Sequence, residues 1–317
     1  MRLVVALGGN ALLKRGEPAD LLTQRLHLRS AAASLVPLAR RHDLLITHGN
    51  GPQVGLLALQ AEAYQGGPVM PLDVLGAESE GMIGYLLERE LRTVLPGREV
   101  AALLTQVEVD RDDPAFHDAT KPIGPVYPPF QGERLGRERG WTMVREEGGL
   151  RRAVPSPTPR RILELSVIRR LLDAQLIVIC GGGGGIPVVV ESGGAIRGVE
   201  AVIDKDHSAA LLAEGVGADG LVLLTDAPCV FEDFGTPRQR PIRFARAAEL
   251  KGRAFDRGSM GPKVEAACRF VERTGGWAAI GALEEAGAIL SGAAGTFIEP
   301  SRPSSLLPYE GGGPDLR

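Results

Sequence analysis

Short, nearly continuous apolar runs alternate along the chain with longer segments in which apolar residues recur every three or four positions. Unbroken apolar runs are typical of strands buried on both faces of a parallel sheet. The longer segments have the spacing of helices that bury one face. The predicted strands are residues 3–7, 44–47, 100–104, 176–180, 221–224, 278–280 and 296–298.

Helical spacing predicts seven helices between these strands, and Pro37 should kink or end the first of them. Alternating strands and helices favour a three-layer αβα sandwich, doubly wound around a mainly parallel central sheet with right-handed crossovers. A chain of 317 residues can form one large α/β domain or two lobes. The predicted helices are residues 22–41, 54–64, 74–95, 162–174, 208–216, 264–274 and 283–290.

The alternation breaks between Asp110 and Pro159, where prolines accumulate beside a charged stretch. We interpret residues 111–158 as an inserted excursion that forms a small protruding subdomain or lid. From Pro300 onward the chain is rich in proline, serine and glycine, which predicts a loosely held extension.

Composition narrows the class of protein. The net charge is −3 and no basic stripe is present, which argues against a nucleic-acid partner. No apolar stretch approaches the length of a membrane span. The three cysteines are scattered without metal-ligand spacing, so we expect buried packing residues, no metal held by side chains, and a cytoplasmic protein.

Four predicted strands run directly into glycines or small polar residues, at residues 8–10, 48–53, 181–185 and 225–226. In a parallel sheet all four loops open at the carboxyl edge, where ligands bind. Glycine amides and helix N-termini there could hold an anion. A strand-to-helix turn also uses glycine for its geometry alone, so any single loop has both interpretations. The set lacks the P-loop and dinucleotide-binding patterns.

Lysine is scarce: only five of the 36 basic residues are lysines. Lys205 stands between two aspartates, either in an ion-paired surface turn or at a site that contacts phosphate. Lys263 follows a glycine-rich segment and is either an ordinary lysine at a helix start or a contact for a ligand. The helix dipole disfavours a cation there, and this mismatch favours an anionic ligand nearby. Lys14 and Lys251 have no such context and are interpreted as surface residues.

Two histidines lie near these segments. His48 precedes a glycine loop and is either structural or catalytic, and His207 either caps a helix or faces solvent. The remaining three histidines have no metal-ligand spacing.

Six segments together resemble carbamate kinases of the amino-acid kinase superfamily, and they occur in the order of that family: residues 4–12, 48–55, 120–125, 182–189, 200–206 and 258–266. The resemblance implies an acetylglutamate-kinase-like fold and a homodimer. It also implies a carbamoyl-phosphate lobe over residues 1–205, including the protruding subdomain, a nucleotide lobe over 206–300 and a tail over 301–317. Residues 227–231 depart from the family, which often carries an aspartate and a tyrosine there.

The resemblance assigns roles to individual residues. Lys121 would reach in from the protruding subdomain, Lys205 and Lys263 would contact the moving phosphoryl group and the nucleotide phosphates, and Asp206 would orient the lysines. The nucleotide pocket would be formed by Thr225, Asp226, Met260 and Lys263. Carbamoyl phosphate would be surrounded by Gly8, Gly9, Asn10, Gly49, Asn50 and Gly51.

The activity implied by the resemblance is reversible phosphoryl transfer between carbamoyl phosphate and ADP, giving ATP and carbamate, with Mg²⁺ on the nucleotide. A kinase of another small carboxylate, such as acetylglutamate, is an alternative that the Lys121 segment argues against. A nucleotide or metabolite sensor without turnover is a second alternative, and the three lysines argue against it.

Overall fold

The computed structural model describes residues 1–9, 12–13, 17, 20–64, 69–256, 258–301 and 305–306. In those residues the strands are β1 Arg2–Leu7, β2 Asp43–His48, β3 Val100–Ala102, β4 Gln106–Val109, β5 Lys121–Tyr127, β6 Thr142–Glu146, β7 Gly149–Val154, β8 Pro159–Ile162, β9 Ile177–Ile179, β10 Ile186–Val190, β11 Ile196–Gly198, β12 Gly220–Thr225, β13 Val230–Glu232, β14 Arg240–Ala245, β15 Trp277–Ala282, β16 Thr296–Ile298 and β17 Ser305–Leu306. The helices are α1 Leu21–Ala39, α2 Gly51–Ala63, α3 Leu72–Val94, α4 Pro129–Arg139, α5 Leu165–Asp173, α6 Lys205–Val216, α7 Ala247–Lys251, α8 Met260–Thr274 and α9 Ala286–Leu290.

The central sheet has the strand order β13-β14-β16-β15-β12-β1-β2-β9-β3, with β17 paired to β14. Every pairing from β15 through β12, β1, β2 and β9 to β3 is parallel. The antiparallel pairings lie toward the other edge, between β15 and β16 and between β13 and β14. The predicted mainly parallel sheet is therefore confirmed.

Strand β1 shows why the sheet is covered on both faces. Successive side chains of a strand point to opposite sides. Val4 and Ala6 belong to the core that includes residues of α6 and α8, whereas Leu3, Val5 and Leu7 belong to the core that includes residues of α1 and α3. Because both sets are fully buried, β1 reads as one unbroken apolar run. The result is the predicted three-layer sandwich.

The structure differs from the sequence-based prediction at several element ends. Helix α1 continues through Pro37 to Ala39 instead of ending at the proline. Helices α6 and α8 begin three or four residues earlier than expected, at Lys205 and Met260. The prediction missed the short strands from β4 to β8, along with β10, β11, β13 and β14, most of which pair antiparallel. Many of these strands expose part of their surface and so lack an unbroken apolar run.

Two smaller sheets stand beside the central one. A four-stranded sheet has the order β11-β10-β4-β8, and a three-stranded sheet has the order β5-β7-β6. The three-stranded sheet and α4 lie within the proline-rich excursion. At the C-terminal end, Ser305–Leu306 pairs with β14, so these two residues are held by backbone pairing rather than loose. Residues 302–304 and 307–317 of the predicted tail lie outside the described residues.

The cysteines and the helices bear on the class of protein. All three cysteines are buried and free, as their spacing predicted. Burial raises the pKa of Cys180 well above its usual value, which keeps this thiol protonated. None of the helices in the described residues has both the length and the apolar character needed to cross a bilayer.

Candidate active site

The four loops predicted to bind an anion follow four adjacent strands of the central sheet. In the order β12-β1-β2-β9, all neighbours are parallel. The end of β1 at Leu7 is level with Leu224 of β12 and with His48 of β2. Because the carboxyl ends of parallel strands meet at one edge, the loops surround one site, as expected. Asn10 was assigned to this site and lies outside the described residues.

Helix α2 presents an uncapped N-terminus to the site. Asn50 is its N-cap residue, yet the Asn50 side chain makes no capping bond and instead donates from Nδ2 to Ser79 Oγ at 2.8 Å. Within the described residues, the amides of Gly9, Asn50 and Gly51 have no hydrogen-bond partner. Free amides at a helix N-terminus attract an anion, so these three amides can bind phosphate oxygens.

Two of the loops touch each other and one of the lysines. A Cβ atom on Gly49 would lie 2.9 Å from the nitrogen and 3.0 Å from the Cα of Gly9. The same atom would lie 3.5 Å from Cδ of Lys205. Glycine at position 49 therefore allows the loops after β1 and β2 to approach each other beside the Lys205 side chain.

Three lysines from distant parts of the chain meet at one short acidic segment. Lys205 Nζ donates to Asp206 Oδ1 at 2.5 Å, and Lys263 Nζ donates to Asp206 Oδ2 at 3.0 Å. Lys121 Nζ donates to Asp204 Oδ2 at 2.5 Å. One carboxylate thus bridges two ammonium groups, and the third is held two residues away. We call these five residues the lysine–aspartate cluster.

Burial and charge act together on this cluster. Burial raises the pKa of Asp206, but the ammonium groups of Lys205 and Lys263 outweigh it and hold that pKa below its usual value. Burial likewise raises the pKa of Asp204, and Lys121 outweighs it, so the pKa of Asp204 lies well below its usual value. Burial lowers the pKa of Lys205, partly offset by Asp206. Both aspartates are therefore ionised at neutral pH.

Lys121 reaches the cluster because the excursion folds back onto α2. A Cβ atom on Gly55 would lie 2.4 Å from the Cα of Gly124, so the two backbones are in direct contact. Arg151 of the same small sheet donates from Nε to the carbonyl oxygen of Gly124 at 2.7 Å. The Lys121 side chain remains 36% exposed, against 14% for Lys205 and 10% for Lys263. Lys121 therefore stands at the mouth of the site.

The glycine-rich loop after β9 is less open to an anion than its sequence suggested. The amide of Gly181 donates to Thr105 Oγ1 at 2.9 Å, and the amide of Gly182 donates to Glu80 Oε1 at 2.8 Å. The next two bonds are internal, from Gly184 and Gly185 to carbonyl oxygens of the same loop. Among the described residues, only the amide of Gly183 in this loop has no partner. The loop is mainly a supporting element.

Replacing Gly183 with alanine should lower the free energy of unfolding by about 1–3 kcal/mol, because a side chain is strained at its φ of +68°. The new Cβ atom would also lie 2.1 Å from Asn50 Nδ2. Urea unfolding of the variant measures the effect. Gly193→Ala is the matched control, since nothing lies within 4 Å of its Cβ position and its φ is not in the left-handed region. Equal stability of the two variants would contradict the prediction.

The residues assigned to a nucleotide lie at the end of β12 and at the start of α8. Thr225 ends β12 and donates from Oγ1 to Asp226 Oδ1 at 3.0 Å, and a Cβ atom on Gly8 would lie 3.5 Å from Thr225 Cα. Met260 begins α8 and packs against the core. Ser259 makes no side-chain cap on α8, and Lys263 lies in the first turn of this helix, near its positive end.

Sequence reasoning did not single out Glu80, which the structure brings to the glycine-rich loop. Glu80 is 3% exposed and accepts hydrogen bonds from the amides of Gly182, at 2.8 Å, and Thr105, at 3.1 Å. Burial raises its pKa to about 8. Its position on the buried face of α3, in register with Ile83 and Leu87, was the sequence signal that could have found it.

His48 lies buried beside the loop after β2 and makes a contact that shapes this loop. Its side chain is fully buried, and burial lowers its pKa to about 4, so it is neutral at pH 7. Nδ1 lies 3.0 Å from the carbonyl oxygen of Gly49, which requires the proton on Nδ1. Because the peptide bond is trans, the amide of Asn50 points away from His48. The contact between His48 and the Gly49 carbonyl oxygen therefore helps to keep the Asn50 amide free to bind an anion.

The raised pKa of Glu80 predicts a dependence of stability on pH. Between pH 4.5 and 8 the folded chain keeps this proton while the unfolded chain loses it, so stability falls as pH rises. The lowered pKa of His48 acts in the opposite direction, between about pH 4 and 6.5, so the interval from 6.5 to 8 isolates Glu80. Urea unfolding across that interval should show a steeper decline for the parent chain than for Glu80→Gln. Parallel declines would refute the prediction.

The site offers no ready-made metal cage. Within the described part of the chain, no three His, Cys, Asp or Glu side chains are grouped so that they could hold an ion. Asp204 and Asp206 are already bound to lysines. A divalent ion with only one or two protein carboxylates typically depends on substrate phosphates for its other ligands.

The chain is similar to a family model and to several known proteins. Residues 1–280 match the amino acid kinase family. The carbamate kinase of Rhizobium meliloti is 52% identical over 304 residues, covering 95% of this chain and 94% of the relative, and that of Haemophilus influenzae is 50% identical, covering 94% and 96%. A structure of Giardia lamblia carbamate kinase bound to AMP-PNP has a TM-score of 0.87 and 38% identity, covering 94% of this chain and 98% of the other.

Proposed function

The chain belongs to the amino acid kinase family and, within it, to the carbamate kinases, and from this premise we propose how its own residues carry out the reaction. The chain is an ATP-dependent kinase that transfers a phosphoryl group between carbamoyl phosphate and ADP, giving ATP and carbamate. The observation that carries the proposed assignment of residues is the lysine–aspartate cluster, in which three ammonium groups from distant segments lie around Asp204 and Asp206.

In the proposed step, an oxygen of the ADP β-phosphate attacks the phosphorus of carbamoyl phosphate as the bond to the carbamoyl oxygen breaks. Carbamate leaves with the electron pair of that bond. The transition state is loose and spreads negative charge over the phosphoryl oxygens, so positioning and charge supply most of the catalysis. Lys205 and Lys263 stabilise this charge, and Asp206 holds both ammonium groups ready.

The carbamoyl phosphate is proposed to lie against the uncapped start of α2. The free amides of Gly9, Asn50 and Gly51 bind its phosphate oxygens, with Gly8, Asn10 and Gly49 completing the loops around it. Lys121 leaves Asp204 to neutralise the substrate at the mouth of the site. ADP lies beyond the cluster, against Thr225, Asp226, Met260 and the start of α8.

A magnesium ion is proposed to enter with the nucleotide. When bound, it would neutralise the phosphate oxygens that the lysines do not reach. Asp204 and Asp206 already bind lysines, so the fit is to a nucleotide-held ion rather than to a cage of side chains.

ATP formation by the purified protein tests the function. The protein is mixed with ADP, magnesium and carbamoyl phosphate, and ATP is measured with a coupled luciferase reaction. Acetyl phosphate serves as a comparison donor, and acetylglutamate with ATP tests the alternative carboxylate kinase. Of the two phosphoryl donors, we expect only carbamoyl phosphate to give rapid ATP formation. Binding of nucleotide without any product from these pairs would support a sensor instead.

Further expectations complete the proposal. Residues 1–205 would form the carbamoyl-phosphate lobe and residues 206–300 the nucleotide lobe, in a cytoplasmic protein.

A homodimer is expected to pair through the open edge of β3, where Leu104 is 51% exposed and the neighbouring Tyr85 of α3 is 59% exposed. Light scattering during size-exclusion chromatography should give the mass of two chains, and Leu104→Asp should lower it. A one-chain mass for the parent protein would refute the dimer.

A further inference from the structure

Two adjacent residues of α3, Ser79 and Glu80, each hold a different loop of the site. Ser79 Oγ accepts from Asn50 Nδ2 at 2.8 Å and donates to the carbonyl oxygen of Gly76, also at 2.8 Å. Glu80 accepts from the amide of Gly182 at 2.8 Å. The first bond anchors the loop after β2, and the second anchors the glycine-rich loop after β9. A single turn of one helix therefore sets the relative position of both loops.

The two anchored loops also touch each other, which closes a ring of contacts. The Asn50 side chain lies so close to Gly183 that a Cβ atom at position 183 would be 2.1 Å from Nδ2. Gly183 follows Gly182 in the chain, and Ser79 precedes Glu80. The ring thus runs from Ser79 through Asn50, Gly183 and Gly182 to Glu80. We expect a change at one anchor to displace the opposite loop as well.

The side chains that anchor the glycine-rich loop form hydrogen bonds with protein backbone groups and are therefore not open to a ligand. Glu80 Oε2 accepts from the amide of Thr105 at 3.1 Å, and Thr105 Oγ1 accepts from the amide of Gly181 at 2.9 Å. On the other side, Thr47 Oγ1 donates to the carbonyl oxygen of Gly181 at 2.7 Å. These bonds are buried, so an unmade bond leaves a desolvated polar group and is costly.

We propose that Ser79 and Glu80 are positioning residues that hold the Asn50 loop and the glycine-rich loop in the register required to bind carbamoyl phosphate, without acting on the ADP site. The inference rests on the proposed function. Helix α3 packs against α1, α2, β3 and the glycine-rich loop. The residues proposed to bind ADP lie on β12 and α8, which belong to other parts of the sandwich. Only one of the two substrates should therefore respond to a change in α3.

Glutamine at position 80 is the sharpest probe because both oxygens of Glu80 accept from backbone amides, and the hydroxyl oxygen of the protonated carboxyl group still accepts through a lone pair. The amide group of glutamine accepts at its oxygen but places an NH₂ group against the second N–H, so one buried bond is lost. Steady-state ATP formation should show the KM for carbamoyl phosphate raised about tenfold, with the KM for ADP within about twofold of the parent value.

Ser79→Ala is the second variant and should also raise the KM for carbamoyl phosphate selectively, since it releases Asn50. Because the two anchors belong to one ring, the double variant should raise this KM by less than the product of the single effects. Glu90→Gln is the matched control. Glu90 is a buried glutamate of the same helix that pairs with Arg89 at 3.1 Å, and neither KM should change.

The outcomes separate this inference from the proposed function. Parallel rises of both KM values, or an unchanged KM for carbamoyl phosphate in folded variants, would overturn the inference. If Glu80→Gln does not fold, Ser79→Ala decides it alone. If the parent chain forms no ATP, the proposed function fails, and titration calorimetry with phosphonoacetamide, a stable analogue of carbamoyl phosphate, still compares the variants. Equal affinity of parent and variants for that analogue would refute the positioning role.

Discussion

Replacing Lys205 with alanine is expected to lower kcat for ATP formation by about 10²- to 10³-fold, the usual effect of removing one charged donor from a transition state. Lys205 is largely buried, and its Nζ donates to Asp206 Oδ1 at 2.5 Å. Its Cδ would lie 3.5 Å from a Cβ atom on Gly49, so the side chain passes close to that loop. It is therefore the lysine that links the acidic segment to the loops proposed to bind carbamoyl phosphate. The KM values should change far less than kcat, because the interaction is strongest in the transition state.

The control for this prediction is another lysine of the same chain. Lys251 ends α7, pairs with Glu272 at 2.5 Å on the surface and belongs to none of the loops or strands assigned to the site, so Lys251→Ala should leave kcat within about twofold. Lys205→Arg keeps the charge but replaces a compact ammonium with a planar guanidinium, and we expect it to recover little activity. Near-normal turnover of Lys205→Ala would remove the basis for the assignment of this cluster.

The second large effect is expected at Asp206, where asparagine should reduce both stability and turnover. The carboxylate is 3% exposed and accepts from Lys205 at 2.5 Å and from Lys263 at 3.0 Å. Its loss would leave two largely buried ammonium groups facing each other, and breaking a buried pair in this way typically costs about 3–5 kcal/mol. Urea unfolding and steady-state kinetics measure the two effects separately.

A double variant distinguishes the structural role of Asp206 from its role in the reaction. Adding Lys263→Met to Asp206→Asn removes one of the two unpaired charges, so stability should partly recover while turnover stays low. In both variants, the free energy of unfolding should also fall less steeply with decreasing pH than in the parent chain. The lowered pKa of Asp206 contributes stability that is lost as pH falls through that pKa, and both variants lack this carboxylate. Recovery of turnover together with stability would mean that Lys263 has no role in transfer.

The predicted fold followed from strands whose burial is nearly complete. Residues of β1, β2 and β12 are apolar on both faces because helices cover both sides of the sheet, and such runs are visible in the sequence. Strands such as β6 and β11 keep an exposed face and are short, so their residues carry no comparable pattern. The predicted ends of α1 and starts of α6 and α8 differ from the observed ones for a related reason: capping and packing decide where a helix begins and ends.

The candidate site likewise has some features that the sequence reveals and others that only the structure shows. Lys121, Lys205, Lys263 and the glycine loops could be identified from the sequence, because residue type and motif express what a phosphate needs. The family resemblance implied that Asp206 orients the lysines, but the pairing of Lys121 with Asp204, and the carboxylate oxygen that each ammonium group meets, could not be identified from the sequence. These contacts join residues separated by 83 and 57 positions, and no local pattern records which ammonium meets which carboxylate.

The sequence by itself determined the family, the layered architecture and the kinds of side chain present at the site, since these depend on local periodicity and on motifs. Only the tertiary structure decided how the glycine-rich loop is used. Its amides looked available for phosphate, but four of the five are already bonded, two of them by Glu80 and Thr105. Whether an amide is free depends on its neighbours in space, and packing against α3 brought those neighbours from distant parts of the chain.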